Sequence, residues 1–225
     1  MKRIAPIAYF HSPLTSKFGV PRQSGLVENL HGRIVFEPEY RREEALRGLE
    51  GFDYVWLIWG FSMVEGRESR VESLTVRPPR LGGNERIGVF ASRSPFRPNG
   101  LGLSSVRIAK IENGEIDVVG ADLMDGTPIY DVKPYVPYAD AHPEARGGFT
   151  DKRGWKTLTV EIPDEVKTLF TEEELQALTE ILSLDPRPRY HDDPQRIYGM
   201  PFAGRDVKFR VEGVRIIILG APRIT

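Results

Sequence analysis

The chain contains no cysteine among its 225 residues, which excludes disulfide scaffolds, thiolate zinc sites and cysteine nucleophiles. Histidine is scarce: His11, His31, His142 and His191 lie far apart without ligand-type spacing, so no metal site is expected. There is almost no net charge. At a formal −1, a nucleic-acid partner would have to be met by a local basic patch. No apolar run approaches transmembrane length, and "MKRIAPIAYF" leads into strand-like sequence rather than a signal peptide, so a cytoplasmic protein is expected. Two nucleotide motifs are also missing. Without G-x-x-x-x-G-K-[ST], or G-x-G-x-x-G between a strand and a helix, neither a P-loop nor a Rossmann site is expected.

What is present is an ordinary globular composition, 40% hydrophobic and 28% charged, with length for one core and a small appendage. The first two-thirds hold β-branched and aromatic runs: "RIAPIAYF", "GRIVFE", "DYVWLIWGF", "RIGVFAS", "LSSVRIAKIE" and "EIDVVGADL". Gly, Pro, Asn and Asp clusters separate them, and Asn113-Gly114 predicts a hairpin turn. Only "YRREEALRGLEGF" has helical spacing, with Ala45, Leu46 and Leu49 on one face and Gly51 as a stop. Many short strands suggest a small antiparallel barrel, since closure removes exposed edges. The fold class expected is therefore mainly β, with the barrel over residues 1–138.

Residues 139–155 are polar and Gly-rich without periodicity, and read as a linker or loop. Residues 156–225 read as a small α+β domain. It has a strand "TLTVEI" and a helix capped by Thr171 and Glu174, with Leu175, Leu178, Ile181 and Leu182 on one face. "DPRPRY" stops that helix, and "DVKFRVEGVRIIIL" supplies a strand pair turning at Glu212-Gly213.

Three loop-like stretches have chemical potential. Between positions 77 and 97 lie Arg77, Arg80, Arg86, Arg93 and Arg97 against the single acid Glu85, with prolines 78, 79, 95 and 98 stiffening the segment. Arginine on a stiff loop loses little entropy on binding an anion, so the segment is either a solvated basic loop or a phosphate or RNA face. "ADLMDGTPIYD" ends a strand in Asp122, and its Asp125-Gly126-Thr127-Pro128 turn exposes a carboxylate, a hydroxyl and backbone amides. "KFGVPRQSGLV" fixes Arg22 and Gln23 behind Pro21; as an ordinary surface turn it would need no ligand. From these residues alone, a barrel that binds RNA or a nucleotide without chemistry stays open beside an enzyme.

Taken in order, "KFGVPRQSGLV", "ALRGLEGFDYVWLIWGF", "TVRPPRLGGNERIGVFASRSPFRPNGLGLSSV", "ADLMDGTPIYDVKPYVPYAD" and "LDPRPRY" resemble the TsaA-like family, also called YaeB or TrmO. The resemblance spans nearly the whole chain. It implies a β-barrel tRNA (N6-threonylcarbamoyladenosine-37-N6)-methyltransferase that uses S-adenosyl-L-methionine. The implied enzyme acts on the tRNA anticodon loop as a homodimer, with cofactor sites near the subunit interface. Carried onto this sequence, the cofactor pocket would draw on Pro21, Arg22, Gln23, Arg93, Leu103, Asp125, Gly126, Thr127 and Pro128. Family members commonly follow the aromatic strand with Phe-His-Gln. Here Phe61 is followed by Ser62 and Met63, which the resemblance would place at the matching part of the pocket. Asp125 is the candidate proton acceptor. Arg77, Arg80 and Arg97, with Arg187, Arg189, Lys208 and Arg210 of the C-terminal region, are the candidate RNA contacts.

Overall fold

Alternation of inward apolar and outward polar residues gives the first domain its strands. In β3 (Tyr54–Gly60), Val55, Leu57 and Trp59 are buried while Tyr54 faces solvent. The structure, a computed structural model, describes residues 4–61, 74–78, 85–151, 157–187 and 193–224. Before β3 come β1 (Ala8–His11), β2 (His31–Phe36) and the short helix α1 (Glu43–Leu46). After it come β4 (Thr75–Val76), β5 (Ile87–Gly88), β6 (Leu101–Glu112), β7 (Glu115–Val119), β8 (Thr127–Pro134) and α2 (Pro137–Asp140). Six of these strands close an antiparallel barrel in the order β1-β2-β7-β6-β3-β8. Ile34, Leu57, Ile116, Ile129 and Phe10 fill its interior.

The barrel expected from sequence is present, but its sixth strand is a different one. "RIGVFAS" contributes only β5, which pairs with β4 outside the barrel, and then a 3₁₀ turn over Val89–Ala91. Its place is taken by β8, where Pro128 and Pro134 sit near the two ends and the ladder to β3 runs between them with one register shift beside Trp59. The helix expected around Ala45 is also shorter. Gly48, at φ +91°, breaks it before Leu49; Leu46 is buried, whereas Ala45 is exposed. Asn113 and Gly114 both take positive φ between Glu112 and Glu115, as the hairpin requires.

The C-terminal region comprises β9 (Thr159–Glu161), α3 (Asp164–Lys167), α4 (Glu172–Ser183), β10 (Tyr198–Phe202), β11 (Arg205–Glu212) and β12 (Arg215–Gly220). Its sheet runs β10-β11-β12-β9. Thr171 Oγ1 accepts from the Glu174 amide while Glu174 accepts from the Thr171 amide, the reciprocal cap read from sequence. Leu178, Ile181 and Leu182 are buried against the sheet, and Ala177 joins them.

This second core is not self-contained. Leu14, Val27 and Leu30, from the connection between β1 and β2, are buried within it beside Met200, Phe202 and Phe209. Burying each such side chain contributes about 1.5–3 kcal/mol. A four-stranded sheet with α3 and α4 is a small core, and the N-terminal loop completes it. The linker is anchored too: Asp140 accepts from Trp56 Nε1 on β3 and from the Val136 amide, each at 2.8 Å.

Candidate functional site

The barrel register sends three connections from one end. They are residues 12–30 after β1, 61–100 after β3 and 120–126 after β7. Backbone bonds lace them to one another and to the strand ends. The Gly25 amide donates to Gly120 O, the Asp125 amide to Leu14 O and the Gly126 amide to Phe10 O, each at 2.8 Å. The Phe61 amide donates to Gly100 O at 2.9 Å, holding the end of β3 against the start of β6. The family-implied residues that the structure describes, scattered from Pro21 to Pro128, are thereby gathered at one rim.

Arg93 donates through Nη1 to Gln23 Oε1, joining the arginine loop to the loop carrying Pro21 and Arg22. Pro21 is buried and Arg22 exposed. Asp125 accepts the Ser12 amide on Oδ1 at 3.1 Å, with His11 Nδ1 3.3 Å from the same oxygen. The Asp125 side chain stays partly exposed. Gly126 takes φ +75°, and open space surrounds the position where a Cβ would be. Thr127 differs from expectation: its side chain is buried and its hydroxyl donates to Met124 O at 2.7 Å. What this turn presents at the rim is its backbone and the Asp125 carboxylate. Leu103 and Pro128 lie on outward positions of β6 and β8, and Leu103 is 55% exposed. Ser62 and Met63 lie outside the described residues.

Beneath these groups is a polar relay that the sequence reading missed. Trp59 Nε1 donates to Ser104 Oγ at 2.9 Å, and Ser104 Oγ donates to Asp122 Oδ1 at 2.5 Å. Trp59 can lie flat there because its neighbour across the ladder is Gly102, where a Cβ would sit 2.3 Å from the ring. Burial holds the Asp122 carboxyl above the usual carboxylate range, against the opposing pull of Ser104, of the Ser24 backbone and of Arg93. Asp122 is thus linked to both ligand-type loops, by a hydrogen bond from the Ser24 backbone in one and by the charge of Arg93 in the other. The sequence signal was slight: a second aspartate three residues before Asp125, at a strand end.

The candidate RNA contacts divide. Arg77 is exposed, and Arg80 and Arg189 lie outside the described residues. Arg97 is engaged within its own loop. Its Nη1 donates to Ser92 O at 2.6 Å and reaches Val89 O at 3.4 Å, stapling its own loop. Arg187 makes a two-point pair with Asp185, Lys208 pairs with Asp206, and Arg210 lies 2.8 Å from Glu212. Local pairing lowers the net positive charge of this surface, though the cations remain at it.

Residues 9–141 match the tRNA-methyltransferase O N-terminal domain, and residues 156–223 match the TrmO C-terminal domain. The chain belongs to the TrmO family. Among TrmO relatives, the tRNA (adenine(37)-N6)-methyltransferase of Escherichia coli is 38% identical over 217 residues, covering 91% of each chain. A Pyrococcus abyssi protein named "Probable S-adenosyl-L-methionine-binding protein" is 34% identical over 147 residues, covering 65% of this chain and 75% of its own length. A crystal structure of TrmO from Pseudomonas aeruginosa superimposes with a TM-score of 0.81 at 32% identity, covering 100% of this chain and 98% of that one. The cofactor of TrmO proteins, S-adenosylmethionine, carries an ammonium, a carboxylate, ribose hydroxyls and an adenine ring. The rim suits each: Asp122 and Asp125 accept hydrogen bonds, Arg93 and Gln23 are polar partners, and Leu103 offers an apolar surface.

Proposed function

We propose that this chain methylates N6 of N6-threonylcarbamoyladenosine at position 37 of tRNA, beside the anticodon. The coarser statement rests on family membership: the chain is an S-adenosylmethionine-dependent tRNA (adenine-N6) methyltransferase. The finer one is favoured by the match to the Escherichia coli enzyme along nearly the whole length of both proteins. That observation carries the reading.

Pro21, Arg22, Gln23, Arg93, Leu103 and the turn Asp125 to Pro128 form the donor pocket in this reading. The bound donor supplies a methyl group activated by a sulfonium leaving group. Arg93 and Gln23 fix each other across the rim, so two of the three loops are tied before substrate arrives. The target N6 is a ureido nitrogen whose lone pair is delocalised, so its proton must leave before or during attack. Asp125, partly exposed at the rim, is the side chain we assign to accept it. Position 37 already lies in a loop, so little unstacking is needed to present the base.

The active form in this reading is a homodimer in the cytoplasm. In its support, Phe90 and Phe96 of the arginine loop are 74% and 61% exposed, and Leu103 lies close by in sequence. Large apolar side chains in that state favour a covering partner, and a second copy is the one proposed. Purified protein with radiolabelled methyl donor and bulk tRNA tests the enzyme against a binding module. Transfer of label to tRNA supports catalysis; tRNA binding without transfer supports the module.

A further inference from the structure

The loop that carries Pro21, Arg22 and Gln23 leaves the barrel at β1 and returns at β2, yet much of it is held by the C-terminal region. Leu14, Val27 and Leu30 are buried in the C-terminal core. Phe18 stacks against Tyr198 and Phe209, with ring centroids 6.3 and 6.2 Å apart. A Cβ on Gly19 would lie 2.4 Å from Met200 Sδ, so the backbone passes directly over β10. The Ala203 amide donates to Pro13 O at 3.0 Å. A small cleft of about 20 Å³ is lined by Val20, Pro21 and Arg22 on one side and by Ile181, Leu184 and Pro186 on the other.

A two-point polar clamp joins the same surfaces. Glu180 of α4 accepts the Asn29 amide on Oε2 at 3.0 Å and the Asn29 side-chain amide on Oε1. Asn29 lies six positions after Gln23 in the same loop. A carboxylate that takes two donors from one residue fixes both the position and the orientation of that residue.

We propose that the C-terminal domain is the positioning element of the donor-binding loop, acting through Glu180 on Asn29 and through the buried Leu14, Val27 and Leu30. This rests on the reading that Pro21, Arg22 and Gln23 bind the methyl donor. The domain then does more than gather tRNA. A shift of α4 is transmitted to Pro21–Gln23 by packing and by the clamp, so donor affinity depends on a helix that supplies none of the donor-binding residues. By linkage, any tRNA contact that moves α4 alters donor affinity, and donor binding alters tRNA affinity by the same factor.

The test uses the full chain and S-adenosylhomocysteine as the calorimetric probe. Glu180→Gln keeps the size of the side chain but offers one acceptor and one donor where two acceptors are needed. It should bind the probe about tenfold more weakly, with tRNA affinity and the circular dichroism spectrum unchanged. The pair Glu180→Gln with Asn29→Asp restores complementarity, because the glutamine oxygen accepts the backbone amide and its NH₂ donates to the new carboxylate. That double variant should recover the affinity. Asn29→Ala, which leaves α4 intact, should weaken the probe in the same direction even if Glu180→Gln folds poorly. Wild-type binding matched by Glu180→Gln and Asn29→Ala would overturn the positioning role while leaving the donor site standing. A double variant no better than Glu180→Gln would also overturn it. A wild-type chain that does not bind the probe would remove the donor reading itself, and this proposal with it.

Discussion

Ser104 donates to Asp122 directly under the rim, and this bond sits between the barrel interior and both loops of the proposed donor site. Asp122→Ala would leave the Ser104 hydroxyl without its acceptor, in a place that water reaches poorly. The expected cost is about 1–3 kcal/mol of stability. Donor affinity should fall as well, because the Ser24 backbone loses its acceptor and Arg93 a nearby opposite charge. Urea unfolding and calorimetry on the same preparation measure the two effects.

The pH dependence of Asp122 has a definite sign. Its folded-state pKa is raised by burial, so the native protein holds this proton more tightly than the unfolded chain. The associated stability is fully present below the unfolded carboxylate pKa of about 4 and is lost as pH rises through the folded value. Asp122→Asn removes this loss. Between pH 4 and 7 its stability should therefore rise more, or fall less, than that of the wild type in parallel urea titrations.

Asp140 has the opposite sign. The Val136 amide and Trp56 Nε1 hold its carboxyl below the usual range. Its contribution is present above the unfolded pKa and is lost as pH falls through the folded one. Asp140→Asn should weaken the anchorage of α2 at neutral pH and reduce the sensitivity of the melting temperature to acid. Thermal melts from pH 3 to 6 would show the two curves converging at the acid end.

Gly102 faces the Trp59 ring at a distance no side chain tolerates. Gly102→Ala should displace the indole, break its bond to Ser104 and cost about 1–3 kcal/mol. A change in tryptophan emission together with a lower melting temperature is the expected result. Unchanged emission would mean that the ring does not pack as described.

Arg93 and Arg97 lie in one loop but are engaged differently. Arg93 reaches across to Gln23, whereas Arg97 binds the carbonyls of Ser92 and Val89. Arg93→Ala should raise the KM for the donor and leave the salt dependence of tRNA binding unchanged. Arg97→Ala should loosen the loop as a whole and weaken donor and tRNA together. Both bonds come from Nη1, so lysine at position 97, whose ammonium also donates to more than one carbonyl, should rescue it in part. Steady-state kinetics at several salt concentrations separate these outcomes.

The barrel was legible in the sequence because inward strand positions carry Val, Ile, Leu and Trp at period two, and because Asn113-Gly114 has one natural conformation. β8 was not legible. Its prolines near both ends and its Tyr130-Asp131-Val132 centre obscure the alternation, and the ladder has a register shift beside Trp59. "RIGVFAS" misled for the opposite reason: its apolar residues look like core, but Phe90 is exposed. At the rim, individual loops could be picked out by arginine, proline and glycine content. The relay from Trp59 through Ser104 to Asp122 joins three strands or strand ends far apart in sequence, and no local pattern announces it. The C-terminal region read as a small α+β domain over residues 156–225. That reading missed the apolar residues Leu14, Val27 and Leu30, which belong to its core although they come from the first thirty positions.

The most direct test of the account is nucleoside mass spectrometry of tRNA treated with the purified chain and S-adenosylmethionine. Two substrates should be compared: tRNA bearing N6-threonylcarbamoyladenosine at position 37, and the same tRNA with plain adenosine there. The account predicts a gain of one methyl group on the hypermodified nucleoside at position 37, with little change in the plain tRNA. Methylation at another position, or equal methylation of the two substrates, would contradict it.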